Sequence, residues 1–303
     1  MNIACIIITY NRKILLKNCI DHILAQELPP KKILIVDNCS TDNTEEFIRT
    51  YFHEKLSDKT LIYLNLIQNL GGAGGFHEGM KYALNDDFEW LWLMDDDGYP
   101  AENCLSSLYQ YVCQNNIDAI SPIQLDIEKK DQLAFPVTYK NKKIVGKYDQ
   151  LNDLEFIQDE ANLFNGLLIK KEVIKSIGLP KSELFIRGDE VEYTKRLKRN
   201  NVAFGSLVSS IFYHPSDMNE RIQVLFGLWT IRDAHSDFKN YYMFRNRAVA
   251  FIEDGNALLL PLDFIRYSYY FLIHKKFNWS GLKLWCIATY DGIKGKLGRH
   301  PKY

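Results

Sequence analysis

Four short apolar runs, each closing on a cluster of polar residues, constrain this chain more than any other feature. Ile3 to Thr9 is a mainly β-branched run, the pattern of a strand buried on both faces. RKILLKNCIDHILAQ follows, with Ile14, Leu15, Cys19, Ile23 and Leu24 at helical spacing. Lys32 to Val36 reads as a second strand that runs into DNCSTDNTEEFIRTYF, where Ser40 to Thr44 supply turn and N-cap residues. The third run, LIYLNLI, ends at NLGGAGGFHEGMKYAL, and the fourth, FEWLWLM, ends at Asp95, Asp96 and Asp97. Strands alternating with helices predict an α/β fold with a doubly wound, mostly parallel, Rossmann-like sheet. Such sheets bind ligands beyond the carboxyl ends of their strands. TYNR, DNCSTD, NLGGAGG and DDDG all fall there, on one rim.

The rest of the chain is less regular. Ile117 to Pro122 reads as a further strand, and Asp126 to Asp153 as an insertion or hairpin. NGLLIKKEVIKSIGLP reads as a strand leading into a short helix. FIRGDEVEYTKRLKRN places Val191, Thr194 and Leu197 at helical spacing behind an acidic start. Residues 1–216 are expected to form the α/β domain, and 217–303 a basic, aromatic-rich helical extension.

Composition narrows the functional classes. With 47% hydrophobic and 25% charged residues among 303, the chain can bury a large core. A net charge of -1 excludes a broad basic footprint, so no nucleic-acid partner is expected. From Asp217 onward, however, 13 Lys and Arg face 8 Asp and Glu. There, Trp229, Tyr241, Tyr242, Phe244, Tyr267, Tyr269, Tyr270, Phe271 and Trp285 sit among basic residues. Two readings stand for them: amphipathic helices on an anionic membrane surface, or a core or homo-oligomer interface. The six cysteines form no CxxC pair and read as reduced, buried thiols of a cytoplasmic protein. The N-terminal run lacks a basic leader and a cleavage site, and no run is long enough to cross a bilayer.

The polar clusters suggest chemistry. Three adjacent carboxylates repel one another unless a cation compensates them. Hard oxygen ligands suit Mg²⁺ or Mn²⁺, which keep positions for waters and substrate phosphates. Extended backbone would turn Asp95 and Asp97 one way and Asp96 the other; a solvated acidic loop is the plainer alternative. Gly71, Gly72, Gly74 and Gly75 permit close approach to a phosphate or sugar, or simply a tight turn. The glycines match neither a P-loop nor a dinucleotide fingerprint. Asp37 is either a hydrogen-bond acceptor for a base or ribose or part of a helix-entry cap. Asp189 and Glu190 are either an acid/base pair or an acidic helix start. His214 is either structural or the completing ligand of a metal site.

Taken in order, these motifs resemble glycosyltransferase family 2, the inverting enzymes with a GT-A fold. TYNR, VDNCSTD, NLGGAGG, DDD as a DXD motif, GDEVEY and a later His carry the resemblance over roughly the first 215 residues. NLGGAGGFHEG and WLMDDD are similar to bacterial galactofuranosyltransferases and rhamnosyltransferases; YYMFRNRAVAF and DGIKGKLGRH resemble them more loosely. The resemblance implies that Thr9, Asn11, Arg12, Asp37 and Asn69 frame a nucleotide-sugar donor, with Gly71 and Gly72 against its sugar or diphosphate. It implies Asp96 near the ribose or diphosphate, and Asp95, Asp97 and His214 around Mn²⁺ or Mg²⁺. Glu190 stands at the usual base position, where Asp is commoner, with Asp189 beside it. The implied activity is transfer of galactofuranose from UDP-galactofuranose to a saccharide or lipid-linked acceptor in O-antigen, capsule or related polysaccharide synthesis, at the cytoplasmic face of the membrane. Rhamnose transfer from dTDP-rhamnose is the alternative, and a nucleotidyltransferase a more distant one.

Overall fold

A computed structural model describes residues 2–140, 142–144, 146–216 and 218–303. Asp217, where the sequence reading starts the C-terminal region, lies outside them. The first part runs β1 (Ile3–Thr9), α1 (Lys13–Leu24), β2 (Lys32–Asp37), α2 (Thr44–Tyr51), α3 (His53–Ser57), β3 (Leu61–Asn65), α4 (Gly71–Leu84) and β4 (Trp90–Asp95). Then come β5 (Tyr99–Pro100), α5 (Cys104–Gln114), β6 (Ala119–Asp126), a hairpin of β7 (Val137–Tyr139) and β8 (Lys142–Ile144), and β9 (Phe156–Gln158). β10 (Asn165–Lys170), α6 (Lys171–Ile177), α7 (Asp189–Arg199) and β11 (Phe204–His214) follow.

A nine-stranded sheet takes the order β3-β2-β1-β4-β10-β6-β11-β5, with β9 paired to β11. β1 through β4 are mutually parallel, as the alternation predicts. The strand in NGLLIK differs: β10 runs antiparallel to both β4 and β6. Its amino end therefore reaches the rim where the parallel strands end. The Asp95 amide donates to the Phe164 carbonyl at 2.9 Å. Gly166, at φ +95°, sits where the pairing register shifts, and the Trp92 indole donates to its carbonyl at 2.9 Å. WLWLM thus fills the core and also fixes the bulge beside the aspartates.

Alternate residues of β1 enter two cores, Ile3, Cys5 and Ile7 under α1 and α5, and Ala4, Ile6 and Ile8 under α4, α6 and α7. Helical spacing located α1, but its buried face is Leu16, Cys19, Ile20 and Ile23, whereas Ile14 and Leu15 are exposed. On α7 the inward residues are Tyr193 and Leu197, with Val191 exposed. Cys5, Cys19 and Cys104 are buried thiols; Cys113 and Cys286, contrary to expectation, are exposed.

The glycine run is not a turn ahead of the helix but the first turns of α4 itself. A Cβ on Gly75 would lie 2.5 Å from Ile8 Cγ2, and one on Gly79 would lie 2.7 Å from Ile6 Cγ2 and 2.9 Å from Val36 Cγ2. The helix lies so close to the sheet that only glycine fits.

The C-terminal region comprises a hairpin of β12 (Arg221–Val224) and β13 (Trp229–Arg232), followed by α8 (Asp237–Glu253), α9 (Leu259–Tyr269) and α10 (Trp279–Ile293). Tyr241, Tyr242, Phe244, Tyr267, Tyr270, Phe271 and Trp285 are buried in its own core, with Trp229 and Tyr269 packed against it. For these aromatics the core reading holds.

Gly79→Ala should lower stability by roughly 1 kcal/mol or more, because overpacking against buried methyls exceeds the helix-propensity gain. Gly72→Ala, whose Cβ would meet nothing within 4 Å, should be neutral or stabilising by about 0.4–1 kcal/mol. Urea denaturation midpoints compare the two, and equal midpoints would remove close packing as the reason for glycine at position 79.

Candidate active site

A cleft of about 930 Å³ opens at the carboxyl ends of the parallel strands. Thr9 and Arg12 enter it after β1, Asn69, Gly71 and Gly72 at the start of α4, and Asp95, Asp96 and Asp97 after β4. Asp189 and Glu190 at the start of α7 line it as well, and His214 at the end of β11 stands beside Asp97. Eleven of the thirteen residues singled out in the sequence are thereby brought to one cavity.

Asn11 and Asp37 are the other two, and neither lines it. Buried Asp37 accepts hydrogen bonds from the Ser40 amide at 2.9 Å, from the Ser40 hydroxyl and from the Tyr63 hydroxyl. The Asn11 side chain accepts from the Thr41 amide at 2.7 Å, and its own amide donates to Ser40 Oγ at 2.8 Å. These bonds join the loops after β1 and β2, so Ser40 serves Asp37 instead of capping α2.

The three aspartates do not alternate. The strand ends at Asp95, and Asp96 and Asp97 lie in a turn, so both reach the same Arg12 Nη1, at 3.1 and 2.7 Å. Thr9 Oγ1 also donates to Asp96 at 2.6 Å. Burial nevertheless pushes Asp96 up to about 6, against the pull of Arg12 and Thr9. Asp95 is raised well above the usual carboxylate range by burial and by the charges of Asp97 and Asp96. Asp97 goes the other way: burial works against its charge, yet His214 and Arg12 hold it down to about 2.

The Asp97–His214 contact bears on a metal. His214 Nδ1 lies 2.7 Å from the Pro215 carbonyl, which can only accept, so Nδ1 carries a proton. Nε2 then faces Asp97 Oδ1 at 3.1 Å, and that buried oxygen makes no well-directed hydrogen bond. The pair is satisfied by an imidazolium or by a cation between nitrogen and oxygen; an N–H held by a backbone carbonyl is the usual arrangement behind a metal-bound histidine. Among the described residues no three His, Cys, Asp or Glu side chains converge as a cage. Mg²⁺ and Mn²⁺ do not need one, since substrate phosphates and waters complete their shells.

Across the cleft, Gly188 at φ +99° turns the chain into α7. Asp189, Glu190 and Glu192 occupy the first turn, where the helix dipole favours negative charge. Glu190 Oε2 accepts from the Gly188 amide at 3.0 Å. Asp189 is buried, and burial together with the Glu190 charge raises it well above the usual range.

Sequence reasoning missed what holds this turn. The Asn246 amide nitrogen donates to the carbonyls of Leu184, Ile186 and Arg187 at 2.9, 3.0 and 2.6 Å. Arg245 donates to the carbonyls of Leu184 and Gly298 at 2.9 and 2.5 Å. From the other side, the Ala73 amide donates to the Phe185 carbonyl at 3.0 Å, and a Cβ on Gly71 would come within 2.2 Å of that oxygen. The signal was the polar RNR inside the apolar helix YYMFRNRAVAF, where two buried polar side chains must find partners.

Comparison with known proteins follows the same outline. Residues 4–177 match Glycosyl transferase family 2. The chain is 29% identical to galactofuranosyltransferase GlfT1 of Mycolicibacterium smegmatis over 99% of its own length and 97% of that protein's. Against dTDP-rhamnosyl transferase RfbF of Shigella flexneri the identity is 25%, over 98% and 97%. Among solved structures, S. aureus TarS 1–349 in complex with UDP-GlcNAc superposes with a TM-score of 0.59 at 16% identity, over 97% of this chain and 81% of that one. Likeness at that identity concerns the fold alone. With more than half its length matched, the chain belongs to glycosyl transferase family 2 and is a glycosyltransferase.

Proposed function

We propose that this glycosyltransferase moves galactofuranose from UDP-galactofuranose to a hydroxyl of a saccharide or lipid-linked acceptor in cell-surface polysaccharide synthesis, inverting the anomeric carbon. The observation that carries the donor assignment is the 29% identity to a galactofuranosyltransferase along 99% of the chain. Identity of 25% to a dTDP-rhamnosyl transferase over 98% of the chain supports dTDP-rhamnose as the second reading.

The donor nucleotide lies along the β1 and β4 side of the cleft. Thr9, Arg12, Asn69 and Asp96 frame it there, while Asn11 and Asp37 hold the loops that shape its pocket. Gly71 and Gly72 present backbone to the donor's sugar or diphosphate, and nothing stands within 4 Å of a Cβ placed on Gly72. Asp97 and His214, with Asp95 beside them, would hold Mn²⁺ or Mg²⁺. When bound, that ion neutralises charge on the departing diphosphate.

Glu190 is the base, because it is the less buried of the two acids at the cleft wall, with Asp189 beneath it. Its carboxylate takes the acceptor hydroxyl proton as that oxygen bonds to the anomeric carbon. The bond from the anomeric carbon to the diphosphate oxygen breaks, and UDP leaves with the electron pair.

Three measurements test this. Saturation binding with Mn²⁺ present should favour UDP-galactofuranose; a preference for dTDP-rhamnose would reassign the donor, and binding of neither would reject both. Asp97→Ala should abolish the metal response of donor binding by calorimetry, and an unchanged response would remove Asp97 from the metal. Glu190→Gln should reduce transfer by roughly 10²–10⁴-fold with donor affinity nearly unchanged. Should Asp189→Asn behave so instead, the two acids exchange roles.

A further inference from the structure

The inward aromatics of the C-terminal region leave a second set of apolar residues facing out. Leu258, Phe277 and Trp279 are 92%, 66% and 63% exposed, and Leu262 and Ile265 of α9 also face solvent. On α10, Trp279, Lys283, Ile287 and Tyr290 recur at helical spacing along one exposed stripe, which Lys294 continues just past the helix. The two helices are held together by Phe264 against Trp285, with ring centroids 5.6 Å apart. Phe271 packs so closely on Gly281 that a Cβ there would meet its ring at 2.3 Å.

Charge on this part of the molecule is one-sided. From Gly255 to Tyr303 there are eight Lys and Arg but only two acidic side chains, Asp263 and Asp291. Both acids are buried. Asp263 pairs with Arg247 and Arg266 at 3.0 and 3.3 Å, and Asp291 with Lys296 at 3.2 Å. Lys276, Lys283 and Lys294 are exposed beside the apolar stripe.

We propose that the outward face of α9 and α10 docks on an anionic lipid bilayer. Exposed aliphatic and aromatic side chains interleaved with lysines, and no acidic side chain exposed between them, match the chemistry of an anionic interface. Trp279 and Tyr290 are the residue types that settle at the headgroup level. No helix of the described residues is long and apolar enough to cross a membrane, so α9 and α10 lie on the surface. α9 is tied to the β12–β13 hairpin by Arg266 donating to the Thr230 carbonyl at 2.7 Å and Tyr267 donating to the Arg232 carbonyl at 3.2 Å. Arg232 lines the catalytic cleft, so the docked face stands one hairpin away from it. The proposal is independent of which sugar is transferred.

Flotation of the full chain with phosphatidylcholine vesicles, with and without phosphatidylglycerol, tests it. The protein should float only with the anionic vesicles, and less as salt rises. The double variant Lys276→Gln, Lys283→Gln should bind roughly thirtyfold more weakly, from the loss of two basic contacts. Phe277→Glu with Trp279→Glu should abolish flotation while circular dichroism stays as in the parent. Absence of flotation, or equal flotation of all variants, would overturn the proposal. So would lipid-independent self-association in light scattering that the glutamate variant abolishes, which would assign the face to a second copy of the chain.

Discussion

The structure depends on holding five carboxylates, Asp95, Asp96, Asp97, Asp189 and Glu190, around one cleft. Like charges brought together and withdrawn from water raise one another's proton affinity, as Asp95 and Asp189 show. The fold compensates unequally. Asp96 and Asp97 share Arg12, and Asp97 also has His214. Asp189 and Glu190 have the start of α7. Asp95 makes no ion pair among the described residues, and burial with the charges of Asp97 and Asp96 raises its proton affinity against the pull of Arg12. A site that buries more acids than its own cations compensate favours a ligand that brings positive charge, and binding such a ligand would add to the stability of the folded chain.

The acids come from segments distant in sequence, so their relative placement rests on the turn from Leu184 to Gly188. That turn is gripped twice. α4 meets it through Gly71 and the Ala73 amide, and α8 meets it through Arg245 and Asn246. A buried amide serving three carbonyls is costly to replace, because each carbonyl left unpaired loses about 1–3 kcal/mol. The C-terminal helices therefore help to set where Glu190 stands, and the two regions read from the sequence work as one site.

Much of this was legible because its causes are local. Strands buried on both faces write continuous apolar runs, and the sheet topology sends their polar ends to one rim, which is why Thr9, Arg12, Asn69 and the three aspartates line one cleft. The errors came from contacts that one-dimensional spacing does not carry. Helical periodicity placed α1, but nothing local says that Leu16 and Ile20, and not Ile14 and Leu15, turn inward. NLGGAGG read as a turn because glycine's flexibility is visible in sequence, whereas the closeness of Ile6 and Ile8 is not. DDD read as extended, but its strand stops at the first aspartate. Antiparallel β10 follows the β7–β8 hairpin and β9, and its direction is set by pairing partners alone.

The aromatic C-terminal region posed a choice between core and membrane, and its geometry separates the two by residue. Gripping the turn before Glu190 requires a rigid support, and large rings on the inner faces of α8, α9 and α10 supply it. Three helices around a small core cannot bury every side, so their outer residues are free of that demand. An ordinary outer face would mix both signs of charge. On α9 and α10 the only two acids, Asp263 and Asp291, are drawn inward to neutralise Arg247, Arg266 and Lys296, leaving lysines and apolar side chains outside. Burying Asp263 and Asp291 thus completes the inner core and, by the same step, leaves the outer face of α9 and α10 without an exposed acid.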